Sequence, residues 1–302
     1  MEFPNKPIKI ILPFGPPGFS SRVAFALQPH LSKFLEVDIV FEHITGGSGG
    51  SNGPISASKA RPDGYTLFMG TIGNISLLPN TLENYISPLE CFTPITKIAV
   101  TPNVLIARPN GEINNFAELL KVASEKPGKI TFHGINEHSI HMLEFKSLIA
   151  ETSIDLESVP VDSGSPGAID AIENGKVDLS ITTGPRLFEG IRKNKFVPIA
   201  AISKKRAKFF PAIPTMVELG IKSLGEGSWT ALFAPKETPN YINKKLFEAT
   251  HYASKQNDVI QTLRDQAAII ENDDSLTEAL NFIEKETERL KHACISANFH
   301  RE

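Results

Sequence analysis

Between residues 8 and 202, short apolar runs alternate with segments whose apolar residues recur every three or four positions, which leaves few possible architectures. Ile8, Ile10, Ile11 and Leu12 read as a buried strand that Pro13 stops. Val23, Leu27, Leu31 and Phe34 mark one face of a helix that begins near Ser20. Further strands are predicted at 37–43, 65–70, 130–133, 156–161, 177–182 and 196–202, and helices at 115–125, 139–151, 166–174 and 186–193. The pattern predicts an α/β protein with parallel sheets and helices on both faces. Two long apolar runs interrupt it, 95–108 (broken by Pro102) and 228–235, and beyond the second the chain turns helical. There, Thr238 followed by Pro239 predicts an N-cap and a first-turn proline, and Ser275 with Glu278 a capping box. At 302 residues the chain is long enough for two domains.

The segment ILPFGPPGFSSR, residues 11–22, runs a strand through a Gly/Pro turn into a helix N-terminus. Such a turn presents unpaired backbone N–H groups and the positive end of the helix dipole, a combination that attracts anions. A second strand–loop–helix unit lies at 159–181, where Ser165 reads as an N-cap and Pro166 as the first helical residue. The Gly/Ser-rich loop at 45–53 lacks the terminal Lys-Ser/Thr of a phosphate-binding loop.

Other classes find little support. No run of 18 apolar residues exists, the net charge is −3, and the most basic stretch, 203–210, reads as a solvated connector, so neither membrane span nor nucleic acid is expected. Cys91 and Cys294 are too few for a metal cluster, and a disulfide between them stays open. His138 and His141 are spaced i, i+3 rather than the i, i+4 of a helical zinc pair, and no metal or cofactor is expected. No nucleophile–base–orienter arrangement is legible, which argues against an enzyme. The opening MEFPNKPIKI is not a leader, so the chain reads either as cytosolic or as a mature form without one.

The succession FPNKPIKIILPFGPPGFSSRVAFALQPHLSKFL, ARPDGYTLFMGT, TPNVLIARP, KPGKITF, VPVDSGSPGAIDAIENGKVDLSI and PAIPTMVELG closely resembles the Bug family. These are the extracytoplasmic solute receptors of bacterial tripartite tricarboxylate transporters, and the likeness runs from residue 3 to about 295. The resemblance implies a periplasmic binding protein-like fold: two α/β lobes joined by two crossing strands, with the ligand cleft between them. Lobe one would be residues 1–100 plus 226–302 and lobe two 101–225. It further implies a periplasmic monomer that binds a small organic carboxylate and delivers it to the membrane permease subunits. A sensing receptor for a membrane signalling partner would keep the same pocket.

Carried over by position, the ligand-binding residues would be Phe14, Gly15, Pro16, Pro17, Gly18, Phe19, Ser20 and Ser21, with Thr71 in the same lobe. In lobe two they would be His133, Asn136, Ser139, Ser163, Gly164, Ser165, Thr182 and Thr183. Phe19 is expected either to cover the ligand or to pack between lobes, and Trp229 to pack at the hinge. The chain departs from the family at Pro17 (usually Gly), Ser21 (usually Asp), the bulky HGINEHSIH segment, and Val161-Asp162 in place of a Tyr-basic pair. Thr182 stands where amino-acid receptors commonly carry an aspartate. A hydroxyl cannot neutralise a buried ammonium, so the expected ligand is a non-amino dicarboxylate or aromatic carboxylate, with Asp162 and Glu137 as the residues that could supply a substitute anion.

Overall fold

The computed structural model describes residues 3–16, 18–134, 136–160, 164–225 and 227–299, apart from the side chains of 164–166, 168, 185 and 186. The chain forms two compact units, one of Met1–Val100 with Trp229–Lys291 and Arg301–Glu302, the other of Thr101–Ser228 with His292–His300.

The first unit contains β1 (Ile8–Leu12), α1 (Phe19–Leu35), β2 (Ile39–His43), α2 (Asn52–Ala57), β3 (Thr66–Thr71), the short helices α3 (Leu78–Thr81) and α4 (Pro88–Cys91), and β4 (Phe92–Thr101). The second contains β5 (Asn103–Ala107), α5 (Phe116–Glu125), β6 (Ile130–His133), α6 (Ile140–Thr152), β7 (Leu156–Ser158), α7 (Gly164–Glu173), β8 (Leu179–Thr182), α8 (Pro185–Arg192) and β9 (Val197–Ile202). The chain then re-enters the first unit through β10 (Ser228–Pro235), α9 (Asn240–Ser254), α10 (Asn257–Arg264), β11 (Ile269–Ile270) and α11 (Leu276–Ser296).

The first sheet has the order β11-β4-β10-β3-β1-β2 and the second β7-β6-β8-β5-β9. β1 is parallel to β2 and β3, and β6 is parallel to β7 and β8. All of β1 except Lys9 is buried, as suits a strand covered on both faces. The sheets are nevertheless mixed, because β10 runs antiparallel to β3, β11 to β4, and β5 to both β8 and β9. The expectation of parallel sheets therefore holds only within the two strand triplets. A helical crossover forces its two strands to run parallel, but β4 and β5 are separated by Pro102 alone and β10 follows a helix-free stretch from 203.

The periodic stripe of α1, Val23, Leu27, Leu31 and Leu35, shares one core with Ile242, Leu246 and Ala249 of α9 and with Ile8, Ile10 and Leu12. Trp229 is buried in the first unit, edge-on to Phe282, with its Nε1–H donating to Glu286 Oε2 at 3.2 Å. Ser275 Oγ accepts from Glu278 N–H as the capping box requires, although the Glu278 carboxylate bonds Asp274 N–H. The cap expected at Thr238 is displaced. α9 starts at Asn240 with Pro239 as its N-cap residue, and the buried Thr238 hydroxyl has no partner. Cys91 and Cys294 are free thiols.

Candidate functional site

Each parallel triplet places its first strand in the middle, β3-β1-β2 in one unit and β7-β6-β8 in the other. The chain therefore leaves the central strand to one side and returns on the other. The crevice outside the carboxyl ends at that reversal is where open α/β sheets receive ligands. In the first unit it lies between β1 and β3, where β1 leads into residues 13–18 and β3 ends at Thr71. In the second it lies between β6, ending at His133, and β8, ending at Thr182.

In the first unit, the Phe14 carbonyl accepts from Ser21 Oγ at 3.0 Å and from His43 Nδ1 at 2.8 Å. Gly18 N–H bonds Gly15 O at 2.9 Å, so this amide is already occupied within the loop. Gly18 is the N-cap residue of α1 and has no side chain with which to cap it. The N–H groups of Phe19, Ser20 and Ser21 follow, the ones that helix geometry leaves without an intrahelical acceptor. Ser20 is buried and its hydroxyl has no partner. Thr71 N–H donates to Asn74 Oδ1 at 2.9 Å, while the fully buried Asn74 Nδ2 has no partner. The groups on offer are uncharged donors.

Phe19 opens α1 and packs against the core of its own unit, so it is not an aromatic at the loop tip. The exposed ring is Phe14, at 37%. It lies against Gly50, whose φ of +80° and lack of a side chain are both required, since a Cβ there would come within 2.8 Å of the ring. Gly15 is half-buried, Pro16 is exposed, and Pro17 lies outside the described residues.

In the second unit, His133 is 1% exposed; its Nδ1 meets Val159 O at 3.2 Å and its Nε2 has no partner. Burial pushes its pKa down, opposed only by the Val159 contact. Thr182 is fully buried and its Oγ1 has no partner. Thr183 shares a 3.0 Å hydroxyl contact with Thr101. Asn136 and Ser139 hold their own loop. Asn136 Oδ1 accepts from His138 N–H at 3.1 Å, and Ser139 caps α6 by accepting from Met142 N–H at 3.1 Å while donating to Gly134 O. Helix α7 begins at Gly164, so Ser165 lies in its first turn instead of at the N-cap. Ser163, like Val161 and Asp162, lies outside the described residues.

Three buried residues extend this site beyond the sequence reading. Asn103 Nδ2 donates to Glu144 Oε1 at 2.6 Å, and Asn103 Oδ1 accepts from Ser228 Oγ at 2.9 Å. His141 Nδ1 lies 3.3 Å from Glu144 Oε2, a distance that alone would make an ion pair. Burial, helped by nearby His133, pushes the His141 pKa down to about 3, so the ring is neutral at pH 7 and the contact is not ionic. A lone amide in the apolar run VLIA was the available signal for Asn103; Asn74 had none. Among the described residues, no group of three His, Cys, Asp or Glu is placed to hold a metal ion.

Residues 23–298 match TctC, the tripartite tricarboxylate transporter family receptor. The chain belongs to this family. BugT of Bordetella pertussis is 27% identical over 273 residues, 88% of this chain and 82% of BugT. MatC of Rhodopseudomonas palustris, solved with bound malate, has 25% identity and a TM-score of 0.85 over 96% of this chain and 99% of MatC. The periplasmic binding protein BugD, at 24% identity, shows the same fold with a TM-score of 0.84 over 99% of this chain and 100% of BugD. The Bug resemblance read from the motifs is thus membership, the fold is that of the periplasmic binding proteins, and the family is one of solute-binding receptors.

Proposed function

We propose that this Bug-family receptor captures a small non-amino organic carboxylate in the periplasm and passes it, chemically unchanged, to the membrane subunits of a tripartite tricarboxylate transporter. One observation carries the reading. Folded proteins leave few buried polar groups unpaired. Here Ser20 Oγ and Asn74 Nδ2 flank the β1/β3 crevice, and His133 Nε2 and Thr182 Oγ1 flank the β6/β8 crevice, all buried and without partners. These are the positions at which a polar solute would supply the missing bonds. The donors of the first unit suit a carboxylate, which the first turn of α1 would hold through backbone amides and its dipole. Malate bound to MatC supports the carboxylate class. Thr182 brings no negative charge against an ammonium, which disfavours amino acids.

A thermal-shift screen against dicarboxylates, aromatic carboxylates and amino acids tests this, because a ligand that binds only the native state raises Tm by mass action. A rise with a carboxylate recovered unchanged is expected. A response confined to glutamate or aspartate, or a ligand recovered transformed, would overturn the proposal.

A further inference from the structure

The protonation of His133 is fixed by its neighbour. Its Nδ1 faces the carbonyl oxygen of Val159 at 3.2 Å, and a carbonyl only accepts, so Nδ1 carries the proton. In the neutral ring Nε2 is then a bare acceptor, buried and without a partner. His133 stands in register with Ser180 of β8. Register partners in parallel strands share a face, and residues two apart on a strand share a face, so Thr182 lies on the side of the sheet that His133 occupies. Its unpartnered hydroxyl can donate or accept.

An acceptor-only nitrogen that shares a sheet face with a hydroxyl is poorly suited to a bare carboxylate oxygen, which would set lone pair against lone pair at Nε2. A ligand hydroxyl suits both, since it can donate to Nε2 and accept from Thr182. An ammonium could also donate, but the Thr182 hydroxyl carries no charge to offset it and the buried Glu144 carboxylate is already engaged by Asn103 Nδ2.

We infer that the β6/β8 crevice reads a hydroxyl group of the ligand, with His133 Nε2 as its acceptor, so that the bound solute is a hydroxy-carboxylate and not its deoxy counterpart. The inference rests on the receptor reading of the same site and names its ligand class.

Calorimetric titration with acids matched except for one hydroxyl tests it: malate against succinate, citrate against tricarballylate, lactate against propionate, and mandelate against phenylacetate. In the pair that binds, the hydroxylated acid should bind about tenfold tighter or more, because losing it leaves a buried acceptor unpaired. In His133→Phe that preference should collapse. The imidazole ¹⁵N resonance of Nε2 in the unaltered protein should shift with the hydroxylated acid and not with its partner, a readout that does not depend on the variant folding. Equal or tighter binding of the deoxy acids, or an Nε2 resonance indifferent to the hydroxyl, would overturn the inference while leaving the receptor reading intact. Failure of every acid to bind would overturn both.

Discussion

Ser21 Oγ, in the first turn of α1, donates back to the carbonyl oxygen of Phe14 at 3.0 Å. This bond closes the loop after β1 onto the helix it leads into and holds the Phe14 carbonyl turned toward Ser21 and His43. The loop's shape therefore depends on the hydroxyl of Ser21. Ser21→Ala removes one of the two donors to that oxygen and leaves His43. A stability loss of about 1 kcal/mol in urea denaturation is expected, with ligand affinity weakened several-fold by calorimetry. Unchanged affinity would show that the loop does not need this tie.

Gly18 is constrained by space and not by backbone angle. Its φ of −66° and ψ of 152° are open to any residue. A Cβ there would sit 3.1 Å from both Gly15 O and Phe14 Cβ, closer than packed atoms comfortably approach. Gly18→Val should displace Phe14 and block the first turn of α1, lowering affinity at least tenfold while circular dichroism stays native. Gly18→Ala should do the same more weakly. Full affinity in the valine variant would remove this loop from the site.

These two positions show where sequence reading works. The strand IKIIL and the helix that begins at Phe19 were legible because burial on both faces, or on one stripe, writes itself into adjacent residues. Sheet direction at β5 and β10 was not, because nothing within an apolar run says which way its neighbour points. The site divides in the same way. The loop at 14–21 announced itself through Gly and Pro, whereas Asn74 and the Asn103–Glu144 bond bring together residues that no local pattern links. Phe19 misled for a related reason: one-dimensional adjacency to the loop says nothing of the core beneath it.

Stability should fall with acid through His141. Its folded-state pKa of about 3 lies below the ordinary 6.5, so the unfolded chain takes up this proton first as pH drops. The stabilisation from keeping the ring neutral is complete above about pH 6.5 and is lost progressively toward pH 3, with a slope near 1.4 kcal/mol per pH unit within that window. His133 and His251, whose pKa values burial also lowers, add slope of the same sign. Urea denaturation at pH 7, 6, 5 and 4 should therefore show a shallower decline in His141→Gln than in the parent, with a residual slope from the other two rings and, at the acid end, from carboxylates such as Glu151 that hydrogen bonds hold low. Parallel declines in both proteins would exclude His141 as the source.

Thr182→Val should separate stability from binding. The threonine is fully buried and its Oγ1 has no partner, while the flanking β8 residues Leu179 and Ile181 are apolar and buried. Valine has nearly the same shape and replaces an unsatisfied hydroxyl with a methyl group, which removes a desolvation cost and leaves no cavity. The variant should accordingly be more stable than the parent by about 1 kcal/mol without ligand. If the hydroxyl is there to meet a bound solute, the same change should weaken binding by roughly tenfold, the value of one lost hydrogen bond in a dry site. A structural threonine would move both quantities the same way, because a packing or bonding defect that lowers affinity also lowers stability. Opposite signs, a higher unfolding midpoint and a weaker Kd, are the signature of a polar group retained for function at the expense of the fold. A variant that is both less stable and weaker in binding would place Thr182 among the supporting residues and leave His133 without a companion in the crevice.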